Sequence, residues 1–164
     1  MLDAKYIYNK AMEDVRNFGR QHPDLIAQSN GITWYDQANL GEVKGMYTRY
    51  LDTEYIIVNN LLEYYDWLQT GFHEDAHSIF HPEMATIPLK DLDMLNYIDT
   101  LEYEANAYMA HILLPDKDIM FYISQGFTVE QIASVMKVTP QTVEIKINEL
   151  KRMNFSFPEQ INFA

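Results

Sequence analysis

Two histidines and the glutamate between them, in the segment His73-Glu74-Asp75-Ala76-His77, are the residues of this chain best suited to chemistry. On an α-helix, residues four apart project about 40° from each other, so both imidazoles can reach one divalent ion. The glutamate then faces the ion's open coordination position. With Zn²⁺ that position holds an activated water, which makes H-E-x-x-H half of a hydrolytic metal site. The pattern also recurs by chance, so its surroundings must supply a further ligand and the helices that carry the set.

A second helical stretch offers that ligand. Taking Glu102 as the reference direction at about 100° per residue, Leu101, Ala105, Tyr108, Met109, Ile112 and Leu113 fall between about −120° and +20°. Glu102 therefore lies within the apolar arc, where a buried carboxylate is expected. Glu104 sits about 160° away with His111, on a face expected to meet solvent. An ionised carboxylate is costly to bury alone, and a metal ion is one partner that removes the cost. On the first helix, His73, His77 and His81 share an arc with Phe72, Ala76, Ile79 and Phe80. His81, in the last turn, is read as complementing the helix dipole ahead of touching substrate or tuning the site. Tyr97, Tyr103 and His111 are candidates for oxyanion stabilisation by nearness in sequence alone, with packing as the default role.

Composition sets the surroundings. The chain has 164 residues, 48% of them hydrophobic, enough for one real core and a small appendage. It contains no cysteine, which leaves His, Asp and Glu as the strong ligand types and excludes disulfides and thiol nucleophiles. No apolar run reads as a signal peptide or approaches the roughly 20 residues needed to span a bilayer, so a cytoplasmic location without membrane contact is expected. A formal net charge of −12 repels phosphate backbones and argues against nucleic acid as the main partner. The methionines and tyrosines read as packing residues, and nothing suggests a small-molecule cofactor.

The elements follow from period and punctuation. Asp3 caps a helix running to about Gln21, with Ile7, Ala11, Val15 and Phe18 on one face. A short helix from Pro23 to about Ser29 ends at Asn30-Gly31. Short β-rich runs follow at Ile32 to Tyr35, Gly45 to Tyr47 and Glu54 to Val58, giving a small sheet. Helical period returns from Leu61 to about Phe80, ended by Pro82, and again from Leu101 to Leu114, closed by Pro115.

The strand Tyr55-Ile56-Ile57-Val58-Asn59, the helix with His73-Glu74-x-x-His77-x-x-x-His81, and the run from Glu102 through Ala105, Asn106, Tyr108 and Leu113-Leu114-Pro115 together resemble the ImmA/IrrE metallopeptidases. The resemblance covers roughly residues 25 to 150. It implies a gluzincin-like site with zinc on His73, His77 and Glu102, and Glu74 as the general base. Relatives carry Leu-Gly inside the motif where this chain has Asp75-Ala76, a departure that bears on packing more than on chemistry. It also implies a protein substrate, a helix-turn-helix repressor governing a mobile element, prophage or stress genes. The segment Glu54 to Asn59 is expected either to pair with an extended substrate as an edge strand or to be an ordinary sheet edge.

Past Pro115 the pattern becomes that of a helix-turn-helix unit. Thr128-x-x-Gln131 is a capping box, Ile132, Ala133 and Met136 form one helical face, and Val138-Thr139-Pro140 opens a helix bearing Val143, Ile147 and Leu150. Between Asp116 and Arg152, five acids balance five bases, which argues against DNA reading and for packing or docking of a protein. The expectation is an α+β fold. A zincin-like metallopeptidase core at residues 1–115, with a small mixed sheet and an active-site helix, is followed by a helix-turn-helix-like unit at 116–164 packed on the core. The expected activity is zinc-dependent endopeptidase. The alternatives are an antirepressor acting by sequestration without proteolysis, and a DNA-binding regulator using the C-terminal helices.

Overall fold

A computed structural model describes residues 1–86 and 95–157, with side chains from residue 99 onward in the second segment. Among the described residues, seven α-helices and one three-stranded sheet make a mixed α+β fold with a helical C-terminal part.

The first helix, α1 (Ala4–Phe18), starts where Asp3 accepts from the backbone N–H groups of Lys5 and Tyr6. It stops at Gly19, which takes a positive φ of 80°. Its buried Ile7 and Ala11 pack with Ile26 of α2 (Pro23–Ser29). The sheet comprises β1 (Thr33–Gln37), β2 (Gly45–Tyr50) and β3 (Thr53–Asn59), in the order β1-β3-β2. β1 runs parallel to β3, and β2 antiparallel to it. Glu54 to Asn59 is thus the centre of the sheet and not an edge. The β1-to-β2 connection leaves a gap between those strands that β3 fills, and the continuous run Tyr55-Ile56-Ile57-Val58 suits a strand with neighbours on both sides.

Next come α3 (Tyr64–Phe80), a single 3₁₀ turn at Pro82–Thr86 packed along β2, and α4 (Leu95–Leu113). The helix expected from Leu101 begins at Leu95, and the one expected from Leu61 begins at Tyr64. α3 and α4 pack face to face through Leu68, Phe72 and Ala76 against Ala105, Tyr108 and Met109. Gly71 of α3 makes a close approach possible: a Cβ there would stand 2.7 Å from Pro23 Cγ and 2.9 Å from Trp34 Cη2. The ligand-bearing helix is thereby seated against both α2 and β1.

The C-terminal helices are α5 (Asp116–Ser124), α6 (Val129–Met136) and α7 (Pro140–Arg152). The Thr128/Gln131 capping box starts α6, and Thr139 caps α7 by accepting from the Thr142 N–H. Lys137, at φ 59°, makes the left-handed turn between them. Ile119, Ile132, Val143, Ile147 and Leu150 form one apolar cluster that also takes in Leu114 and Ala4, while Ile145 joins the α3–α4 core. α7 lies along α4. Among the described residues, no helix is long and apolar enough to cross a membrane.

Candidate metal centre and cleft

His73 and His77 face α4 from one side of α3, and Glu102 meets them from the third turn of α4. The two Nε2 atoms are 3.0 Å apart, and Glu102 places one oxygen 3.2 Å from His73 Nε2 and the other 3.3 Å from His77 Nε2. Three ligand atoms of nitrogen and oxygen type thus converge on one point, and the trio could hold a metal ion. The two imidazoles hydrogen bond to Glu102 and hold its carboxyl far below the usual carboxylate range. For His73, burial is the largest effect and favours the neutral ring, but Glu102, Glu74 and Asn106 together raise its pKa overall.

Each imidazole is also gripped from behind. His73 Nδ1 lies 3.1 Å from Asn106 Oδ1, one turn beyond Glu102 on the same face of α4. His77 Nδ1 lies 3.2 Å from His81 Nδ1, and His81 Nε2 lies 2.8 Å from Glu104 Oε2. The backbone N–H of Leu2 donates to the other oxygen of Glu104.

Several expectations about these faces are corrected here. Glu104 is 2% exposed and His111 is fully buried, so neither meets solvent. Glu102, expected to be buried, keeps 41% of its side chain exposed. A helical wheel gives α4 one wet face, whereas α1 and the N-terminal segment cover one side of it and α7 another, leaving the cleft as its open face. His81 is the C-cap of α3, and its 2%-exposed ring is held between His77 and Glu104, which replaces the dipole reading. Of the oxyanion candidates, Tyr103 donates to Glu149 at 2.9 Å, and His111 Nδ1 meets the buried Lys146 Nζ at 2.9 Å. Both serve packing between helices. The Tyr97 side chain lies outside the described residues.

Glu74 sits beside the trio and under the sheet edge. Burial pushes its carboxyl pKa up, and the neighbouring imidazoles and a hydrogen bond from the Tyr47 backbone N–H partly offset this. That bond follows from register. Asn59 N–H donates to Lys44 O at 2.8 Å, so Met46, Thr48 and Tyr50 direct their backbone groups at β3. Gly45, Tyr47 and Arg49 direct theirs outward, over α3. A Cβ on Gly45 would stand 2.5 Å from Thr70 Cγ2 and 3.4 Å from Glu74 Cγ, so the bare backbone is what brings β2 down onto the site.

Two cavities flank the pair His73 and Glu74, which line both. One, of about 540 Å³, runs between β2 and the 3₁₀ turn, past Tyr47, His77, Met84 and Glu102. The other, of about 300 Å³, is walled by Lys44, Thr70, Asn106 and Met109, and by Thr139, Gln141, Thr142 and Ile145 of the C-terminal unit. The first turn of α7, the part that a DNA-reading helix inserts into a groove, here closes one end of the cleft.

Residues 33–148 match the family model Peptidase_M78, the IrrE N-terminal-like domain. The chain belongs to this family. It is also 30% identical over 111 residues to uncharacterized immunity region protein 2 of Bacillus phage phi105, an alignment spanning 67% of this chain and 70% of that one. The stretch matched to Peptidase_M78 contains β1 through most of α7, and with them His73, Glu74, His77 and Glu102. Membership of this family suggests a peptidase.

The contacts of Asn106 with His73, of His81 with both His77 and Glu104, and of the Tyr47 backbone with Glu74 are not part of the sequence reading. The first two carry a signal in the sequence: Asn106 follows Glu102 by four residues and His81 follows His77 by four, so each repeats a ligand's direction one turn on.

Proposed function

We propose that this protein is a cytoplasmic zinc endopeptidase that cleaves a helix-turn-helix transcriptional repressor. The observation that carries the reading is the convergence of His73 Nε2, His77 Nε2 and Glu102 on one point beside Glu74. The donor set fits zinc: two neutral imidazole nitrogens and one carboxylate, no thiolate, and a cleft that leaves the remaining direction open. Bound there, Zn²⁺ would polarise the scissile carbonyl and bring the pKa of a water towards about 7.

The chain's own residues do the rest. Glu74, whose raised pKa suits a base working near neutrality, takes the water's proton and passes it to the leaving amine. The outward backbone groups of β2, the edge strand beside Glu74, pair with an extended substrate strand, apart from the Tyr47 N–H that bonds Glu74. Asn106 and His81 hold the imidazoles, and α7 bounds the substrate at one end.

The immunity-region relative supports a repressor as the protein partner. The DNA-binding alternative is weakened because α7 presents its first turn to the cleft, and of the five bases in the C-terminal unit Lys146 is buried and Arg152 bonds Glu149. The test is incubation of the purified protein with repressors encoded beside its gene, scored by intact mass. Zinc-dependent cleavage at one bond, abolished by a chelator, is expected. A repressor that is released from its operator uncleaved would establish sequestration instead.

A further inference from the structure

A buried polar chain runs from the N-terminal backbone to the candidate metal centre. It passes from the Leu2 N–H to Glu104, from Glu104 to His81, and from His81 to His77. We propose that Glu104 and His81 are positioning residues that fix the tautomer of His77, holding the lone pair of its Nε2 towards the metal. The inference rests on the zinc reading above.

With a metal on His77 Nε2 in place of its hydrogen bond to Glu102, and with both rings neutral, hydrogen-bond roles along the chain leave one consistent arrangement. A carboxylate only accepts, and Glu104 already accepts the Leu2 N–H on one oxygen. Its other oxygen, 2.8 Å from His81 Nε2, therefore takes a proton from that nitrogen. A neutral imidazole with its proton on Nε2 accepts at Nδ1. His77 Nδ1, 3.2 Å away, must then be the donor, which leaves its Nε2 bare. That atom is the one lying 3.0 Å from His73 Nε2 and 3.3 Å from Glu102. The opposite tautomers would face N–H against N–H or lone pair against lone pair. With His77, His81 and Glu104 at 4%, 2% and 2% exposure, water is poorly placed to relieve either conflict.

The arrangement resembles in kind the carboxylate partners that orient metal-bound histidines elsewhere, with an imidazole interposed. His73 needs no such relay, because Asn106 Oδ1 accepts from its Nδ1 directly. Glu104→Gln breaks the logic. An amide offers one acceptor oxygen to two donors, and turning its NH₂ to His81 reverses both tautomers and protonates His77 Nε2.

The experiment measures Zn²⁺ affinity of the full-length protein by competition with a chromophoric chelator, for the parent, Glu104→Gln, His81→Leu and His81→Asn. Expected losses are about 10–100-fold for the first two variants, the range for removing such outer partners. His81→Asn, whose Oδ1 can still accept from His77 Nδ1–H, should recover most of the loss although its packing is poorer. Should a variant fail to fold, ¹⁵N spectra of the histidine-labelled, zinc-loaded parent read the tautomers directly, with His77 protonated on Nδ1 and His81 on Nε2. Variants that bind zinc as the parent does, or the opposite tautomers, would overturn the relay and leave the zinc reading intact. A parent that binds zinc no better than His73→Ala would overturn the zinc reading itself.

Discussion

Replacing Asp75 with leucine should stabilise the protein. The residue sits inside the H-E-x-x-H motif, is fully buried, and neither of its oxygens has a hydrogen-bond partner among the described residues. Burial pushes its carboxyl pKa well above the ordinary value, with Asp14, Asp24 and Glu74 adding to the rise. Leucine has the same branched skeleton with two methyls in place of two oxygens, so it removes the desolvated acceptors with little change of shape. Leaving a buried polar group unsatisfied costs about 1–3 kcal/mol, and that is the gain expected for Asp75→Leu near neutral pH. The pH dependence has a fixed sign. A carboxyl whose native pKa is raised contributes fully below its unfolded value of about 3.9, and loses that contribution as pH rises towards the native pKa. The leucine variant's advantage must therefore be larger at pH 8 than at pH 5. Urea denaturation at both pH values measures it, with Asp75→Asn as a comparison that cannot ionise but keeps an unpartnered amide. If the leucine variant is no more stable than the parent at pH 8, or its advantage is the same at both pH values, the burial argument is wrong.

Two further perturbations test how the site is seated. Gly71→Ala gains about 1 kcal/mol of helix propensity but drives a Cβ to within 2.9 Å of Trp34 and 2.7 Å of the rigid Pro23 ring, so a net loss of about 1–2 kcal/mol is expected in denaturant titration. A gain would show that α3 has room to move. Lys146, buried against Asp116 and His111, has its pKa pushed by burial from 10.5 down to about 8. Its charge is thus a native-state penalty fully present below about pH 8 and absent above 10.5. At about 1.4 kcal/mol per pH unit, parent stability relative to Lys146→Met should rise by about 3 kcal/mol across that window, and a flat difference would refute the burial of a charged ammonium.

How much of this could be read from the sequence differs between the site and its frame. The spacing of His73, Glu74 and His77 fixes their relation because a helix is periodic, and Glu102 was singled out from a competing glutamate two residues on. Yet the reason given for Glu102, burial, belongs to Glu104. A helical wheel treats one face as core and the other as water, and it cannot represent a helix covered by α1, α3 and α7 on three sides. Strand composition located the sheet, and the continuous apolar run Tyr55-Ile56-Ile57-Val58 of β3, set against the mixed Gly45–Tyr50 of β2, is the signal that marks β3 as the central strand. The Thr128 and Thr139 caps were legible because they depend on three or four neighbouring residues. The meeting of α7 with the cleft depends on how the C-terminal unit packs across α4, and no local pattern encodes that.

In the proposed reaction Glu74 takes a proton from the water that attacks a repressor's peptide bond, and zinc held by His73, His77 and Glu102 would polarise the scissile carbonyl. Glu74→Gln keeps the length and shape of the side chain, leaves His73, His77 and Glu102 in place, and removes the base. The measurement is repressor cleavage by this variant beside the parent, with zinc content determined on the same preparations. Full zinc occupancy with cleavage lost is the predicted result. A zinc-loaded Glu74→Gln protein that cuts the repressor at the parent's rate would contradict the account.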